Sequence, residues 1–248
     1  MAERVAVVTG AARGVGLALA LHAADNGMPV ALADSDQDLL ETAVEQVRAK
    51  GVEAIGVCSD MFDWAAAREL ARRSAAELGP PWLVCNNPGV SIEVNLWGVI
   101  NGVQAFAPGM ARRDAGHIVN ILAAELFGMR GAARYVATSQ AILHLSEELY
   151  RELDSKGSQV GVTLVCPALV KRHITDIPEH QPGNPSLQGT VALNALPPEE
   201  IAAEIFAAVA ARRFRVFPER PDQSFKRRAA CLDRSPARAT SGRREMRC

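Results

Sequence analysis

The stretch Thr9-Gly10-Ala11-Ala12-Arg13-Gly14-Val15-Gly16 decides the fold. It follows a short β-branched run, Val5–Thr9, and opens a helical segment, Val15–Gly27, with Leu17, Leu21 and Ala24 on one face. Glycines between a first strand and a first helix permit a tight turn. They also let backbone amides and the helix N-terminus approach a pyrophosphate. The spacing is Gly-x3-Gly-x-Gly rather than GxGxxG, so position in the chain carries more of the reading than the glycine count. A glycine-rich turn with no ligand is the alternative. Gly10, Arg13, Gly14, Val15 and Gly16 are therefore cofactor-binding candidates.

The same rhythm continues along the chain. Further strands are expected at Pro29–Asp34, Glu53–Cys58, Trp82–Cys85, Gly116–Leu122, Val160–Cys166 and Arg213–Phe217. Helices are expected at Asp36–Gly51, Trp64–Leu78, Val94–Arg112, Ala133–Ser155 and Glu199–Arg212, with Asp36 as a cap. The strand runs are apolar with little alternation, which suits strands covered on both faces. The expectation is an α/β fold: a Rossmann-type doubly wound parallel sheet of about seven strands with helices on both faces. Ligands in such sheets sit beyond the carboxyl ends of the strands, near the reversal of strand order. That rule selects the loops after Thr9, Asp34, Cys58, Cys85, Leu122 and Cys166.

Residues 1–218 read as one dinucleotide-binding domain. Within it, 171–198 form a variable loop rich in Pro, Gly, Asn and Gln, either a substrate lid or a surface excursion. Residues 219–248 form a basic tail expected to be largely disordered; Arg220–Cys248 holds nine basic and three acidic residues. Simple solvation explains that tail better than an anionic partner does. The net charge of -1 gives no reason to expect a nucleic-acid or membrane surface elsewhere. With no apolar run long enough to span a bilayer and no leader pattern, a cytoplasmic location is expected. The five cysteines show no CxxC spacing and no metal site is expected. Cys58, Cys85 and Cys166 sit in apolar runs and read as small buried hydrophobes.

Asp34 closes strand two, where a carboxylate accepts hydrogen bonds from adenosine ribose hydroxyls. Its charge repels a 2′-phosphate, which favours NAD over NADP. Arg13 pulls the other way, and the carboxylate weighs more. Asp60 follows strand three and either bonds the adenine amino group or caps the next helix. Asn86-Asn87-Pro88-Gly89 either knits neighbouring strand ends at the cofactor face or forms an ordinary turn.

Together these residues resemble the classical short-chain dehydrogenase/reductase family. The matches are TGAARGVG at 9–16, Asp34, Asp60, NNPG at 86–89, VNLWGVINGVQAF at 94–106, GHIVNI at 116–121, Tyr135 and VTLVCPA at 162–168. The resemblance spans about residues 4–218. It implies an NAD(P) cofactor, hydride transfer to or from an alcohol or carbonyl, and a homodimer or homotetramer. It adds Asn87, Gly89 and Pro167 to the cofactor candidates. Asn95 matches the family's relay asparagine, and Tyr135 matches its proton-transferring tyrosine. As an alternative, Tyr135 is an interface aromatic on a helix that pairs between subunits.

The family's catalytic lysine and serine are missing. The lysine position is Ser139, and the serine position is Leu122 or Ala123. Ala168 and Arg172 depart from the pattern after strand six, and only Val90–Val94 separate Gly89 from Asn95, where the family carries a longer segment. A tyrosine with no cation beside it keeps a pKa near 10, so only about one molecule in a thousand is phenolate at pH 7. Slow turnover is expected, unless Arg172 or Glu125 substitutes for a missing group. A cofactor-binding pseudoenzyme or scaffold is the alternative, and a degenerate gene product whose fold persists is the third. On the helix at 133–155, Ile142, Leu143, Leu145 and Leu149 exceed what one sheet face needs, which points to self-association.

Overall fold

In the computed structural model, the described residues are 4–87, 92–122, 133–167 and 196–218. They alternate strand and helix throughout: β1 (Val5–Thr9), α1 (Gly14–Asp25), β2 (Val30–Asp34), α2 (Gln37–Arg48), β3 (Ala54–Cys58), α3 (Trp64–Glu77), β4 (Pro81–Asn86), α4 (Ile92–Arg113), β5 (His117–Ile121), α5 (Ala133–Ser155), β6 (Gly161–Val165), α6 (Pro198–Ala210) and β7 (Arg215–Val216). The seven strands form one parallel sheet in the order β3-β2-β1-β4-β5-β6-β7. The order reverses between β1 and β4, so the crevice above those two strands is the ligand position for this topology.

Strand alternation splits the core into two layers. Ala6, Val8, Val30 and Leu32 face α1, α2 and α6. Val7, Ala31, Ala33 and Val84 face α3, α4 and α5. Both layers are closed, which explains why the strands read as continuous apolar runs. Gly56 lets β3 lie against Val44 and Leu40 of α2, where an added Cβ would meet the Val44 side chain at 3.1 Å. Arg215 pairs with the nearly buried Glu147, tying edge strand β7 to α5.

Several boundaries and burials differ from expectation. β7 is two residues rather than five, and Arg212, with φ +52, lies in the turn between α6 and β7. Asp36 caps α2 as expected, accepting from the Leu39 amide at 3.2 Å. α3 is capped by Asp63, which accepts from the Ala65 amide at 2.9 Å, so Asp60 is not the cap. Cys85 and Cys166 are buried, and loss of solvation pushes both thiols up to about 12. Cys58 is exposed, contrary to its apolar run, because β3 is an edge strand and Cys58 is its last residue. On α5, Ile142 and Leu143 are buried within the chain, and Leu145 and Leu149 pack against the same layer. The large hydrophobics that stay exposed among the described residues are Leu39, Phe62, Trp64 and Trp97. No helix among the described residues is long and apolar enough to cross a membrane.

At the opposite end of the sheet from the crevice, His117 is buried at the start of β5. Thr163 donates to the Arg213 carbonyl at 2.7 Å, so it accepts from His117 Nε2–H, also at 2.7 Å. Gly161 makes room for the ring: a Cβ there would lie 2.2 Å from Nδ1. Burial, aided by the Arg212 charge, pushes the imidazole from 6.5 down to about 4. The unfolded chain therefore takes up a proton that the folded chain refuses. The stability contribution is complete above pH 6.5 and is lost as the pH falls from there toward 4. Between pH 7 and pH 5 this one group should cost about 2 kcal/mol. Urea midpoints at the two pH values check it, since His117→Asn should flatten the difference. An equal fall in the variant would assign the acid sensitivity elsewhere.

Candidate dinucleotide-binding site

The glycine-rich turn is held open by its own backbone. Gly10 and Gly14 have φ +58 and +57, where side-chain-bearing residues are strained. A Cβ on Gly16 would stand 1.9 Å from the Gly10 carbonyl oxygen, so only glycine lets α1 start this close to β1. An added Cβ on Gly14 meets nothing within 4 Å among the described residues. α1 has no side-chain cap, whereas α2 and α3 each have one. Among the described residues the first amides of α1 therefore have no side-chain cap, and the positive end of the helix dipole lies behind them. That arrangement fits a pyrophosphate.

Asp34 is aimed by the same turn. Its Oδ2 accepts from the Ala12 amide at 3.0 Å and its Oδ1 from the Asp36 amide at 3.2 Å. The turn is itself tied to β2 through the Ala11 amide and the Ala33 carbonyl, 3.1 Å apart. Beside Asp34 lies an open groove of about 490 Å³ lined by Arg13, Asp34, Ser35, Asp36, Gln37 and Asp38. Three carboxylates and one guanidinium border it. The Ser59 amide donates to the Asp34 carbonyl at 2.8 Å, which brings Asp60 to the same edge of the sheet.

The asparagines at the end of β4 do knit the strand ends. Asn87 Nδ2 donates to the Gly10 carbonyl at 3.1 Å, and its amide donates to Thr9 Oγ1 at 3.0 Å. Asn86 Nδ2 donates to Asn120 Oδ1 at 2.8 Å. Asn120 Nδ2 donates to Ser146 Oγ at 2.9 Å, and that hydroxyl donates to the Ile142 carbonyl. This buried chain fastens β4 and β5 to α5. Gly102 is its counterpart on α4, where a Cβ would collide with Asn86 Oδ1 at 2.0 Å. The sequence reading missed Asn120, Ser146 and Gly102. Their signal was polar or missing side chains inside apolar segments, which buried elements hold only for a partner or a close approach.

Asn95 of α4 is fully buried and its Nδ2 donates to Thr138 Oγ1 of α5 at 2.6 Å. Its Oδ1 has no hydrogen-bond partner among the described residues. Ser139, next to Thr138, is also fully buried. Leu122, one of the two residues at the expected serine position, is fully buried in the layer formed with α3, α4 and α5. Pro167 is buried after the end of β6. Gly89, Ala123, Glu125, Ala168 and Arg172 lie outside the described residues, as do the loop at 171–195 and the tail from 219. Tyr135 falls on α5, and its side chain is likewise outside them.

Residues 4–181 match the family model described as short chain dehydrogenase. A curated relative is the 3-oxoacyl-(acyl-carrier-protein) reductase FabG of Staphylococcus epidermidis, 31% identical over 192 residues, which cover 70% of this chain and 78% of that protein. Among solved structures, a short-chain dehydrogenase/reductase from Burkholderia phymatum in complex with NAD superposes with a TM-score of 0.78 at 34% identity, covering 86% of this chain and 88% of that one. A metagenomic short-chain oxidoreductase in complex with NADP superposes at 0.70 with 28% identity, covering 88% and 97%.

Proposed function

The chain belongs to the short-chain dehydrogenase family, and on that premise we propose that it binds NAD and slowly interconverts a small alcohol and its carbonyl. The observation that carries the reading is Asp34, fixed by the Ala12 amide at the rim of a groove that two further carboxylates border. Gly10, Gly14, Val15 and Gly16 would hold the pyrophosphate. Asp34 would bond the ribose hydroxyls, and Asp60 the adenine. Asn87, Gly89 and Pro167 are the further cofactor-binding candidates. When bound, that ring supplies the hydride acceptor or donor.

Three carboxylates around one groove disfavour a 2′-phosphate, and Arg13 alone offsets them in part. This supports NAD over NADP, although relatives of known structure carry either. Tyr135 would pass the substrate hydroxyl proton. Asn95 is held by Thr138, with a buried acceptor to spare for a water or a substrate donor.

One observation favours a second reading, a cofactor-binding subunit without turnover. The position four residues after Tyr135 is a sealed serine, so α5 brings no cation there to lower the tyrosine pKa. The two readings separate in an NADH-linked assay at 340 nm over simple alcohols and ketones. Slow turnover that disappears with Tyr135→Phe supports the enzyme. No turnover with intact NADH binding supports the subunit.

Residues 1–218 are proposed as one functional unit, acting in the cytoplasm as a homodimer or homotetramer. The support for self-association moves from α5, whose leucines are occupied, to Trp97 of α4, which is half exposed. Light scattering at micromolar concentration should give a multiple of the chain mass that Trp97→Asp reduces. A monomer would contradict it.

A further inference from the structure

We propose that Asn101 is a positioning residue for adenine recognition, acting through the β3–α3 turn that carries Asp60. The inference rests on the reading of Asp60 as the adenine partner.

Asn101 lies on α4 and is nearly buried, at 5% exposure. Its Nδ2 donates to the Met61 carbonyl at 2.9 Å and to the Phe62 carbonyl at 3.0 Å, which uses both amide hydrogens. Those two carbonyls belong to a turn with no ladder or helix of its own. The same turn fixes the carboxylate: the Phe62 amide donates to Asp60 Oδ1 at 3.0 Å. Asp60 is otherwise exposed, and its second oxygen accepts no hydrogen bond from the described residues. One oxygen thus holds the turn, and the other is free to accept from an amino group.

The anchors on the two sides of the turn differ in kind. Before it, the Ser59 amide is bonded to β2 through the Asp34 carbonyl. After it, Asp63 caps α3. Between these points Met61 packs into the core, and among the described residues the hydrogen bonds that reach the turn from another element come from Asn101. Removing its donors leaves two carbonyls unpaired, and the turn must rearrange to hydrate them. The Phe62 amide moves with its carbonyl, and with it the orientation of the Asp60 carboxylate. A merely structural asparagine would lower stability without singling out the adenine amino group.

The test compares NAD with nicotinamide hypoxanthine dinucleotide, which has a carbonyl in place of that amino group. Affinities are measured by calorimetry on the full chain. A hydrogen bond to a charged acceptor should give the wild type a preference for NAD of about 10-fold or more. Asn101→Leu should reduce the preference to within about 2-fold, with the hypoxanthine dinucleotide bound nearly as well as by the wild type. Asn101→Ser, which keeps one donor, should fall between, and it carries the test if the leucine variant does not fold. A preference retained in these variants, or an equal loss for both ligands, overturns the assignment. Asp60→Ala serves as the control for the underlying reading. If that variant keeps the preference, Asp60 does not read adenine and the proposal falls with it. If Asp60→Ala loses the preference and Asn101→Leu does not, only the role of Asn101 is refuted.

Discussion

Wild-type turnover of simple alcohols and ketones is expected to lie up to about 10⁴-fold below that of a Ser139→Lys, Ala123→Ser double variant. The lysine would stand one helical turn after Tyr135, on the same face of α5. Its charge would lower the tyrosine pKa, and the new hydroxyl would orient the substrate and stabilise the developing oxyanion. Each group is worth about 3 kcal/mol in a prepared site, so the two together approach the stated factor. The factor is a ceiling, because residues that act as a unit are not additive. The fold favours a gain in one respect. The seam of α4 and α5 already holds a buried acceptor without a described partner, Asn95 Oδ1, where an ammonium would otherwise have to be desolvated unpaired. It resists in another, since Ser139 is fully buried and a longer side chain needs the crevice to open toward it. Rates at 340 nm for wild type, both single variants and the double variant decide the matter. A wild-type turnover of about 1 per second or more, abolished by Tyr135→Phe, would show that another group has replaced the lysine.

The sheet was legible because each βα unit carries its own local signals. A run such as Val5–Thr9 ends at a glycine, a helix follows, and the next strand begins a few residues later. The Asp34 environment was legible for the same reason, since turn and strand end are fixed by the first unit alone. What the sequence hid depends on contacts between units. Asp60 and Asp63 both precede Trp64; Asp63 caps α3, while Asp60 accepts from the Phe62 amide in a turn that Asn101 of α4 also bonds. Cys58 lies in a run as apolar as that around Cys85, and only the strand order shows that β3 is an edge. Leu143 and Leu149 look surplus on a helical wheel, yet the α4–α5 layer takes them up. Asn120 and Ser146 are 26 positions apart in the chain, and nothing local joins them. Of the catalytic candidates, Asn95 is buried against Thr138 of α5 and Leu122 is buried in the core, while Ala123 and the Tyr135 side chain lie outside the described residues.

NADP is expected to bind at least about 10²-fold more weakly than NAD. A 2′-phosphate on the adenosine ribose would enter the groove where Asp34, Asp36 and Asp38 converge. Two unit charges of like sign about 5 Å apart repel by about 3 kcal/mol at the effective dielectric near a protein surface. More than one such pair acts here, and Arg13 returns part of the cost. Asp34 matters most because both its oxygens are already fixed by backbone amides, so it cannot swing away from the phosphate. Asp34→Ala should therefore narrow the gap by about 10-fold or more, and should weaken NAD itself through loss of the ribose bonds. Rising salt should narrow the gap further in the wild type, as screening requires. The central claim, that this chain holds NAD on the open end of α1 and on Asp34, is tested most directly by calorimetric titration of the wild-type protein with NAD and then with NADP. The account predicts saturable NAD binding and an NADP affinity lower by about two orders of magnitude at low salt. No binding of either dinucleotide at millimolar concentration, or an NADP affinity equal to or above that for NAD, would contradict it.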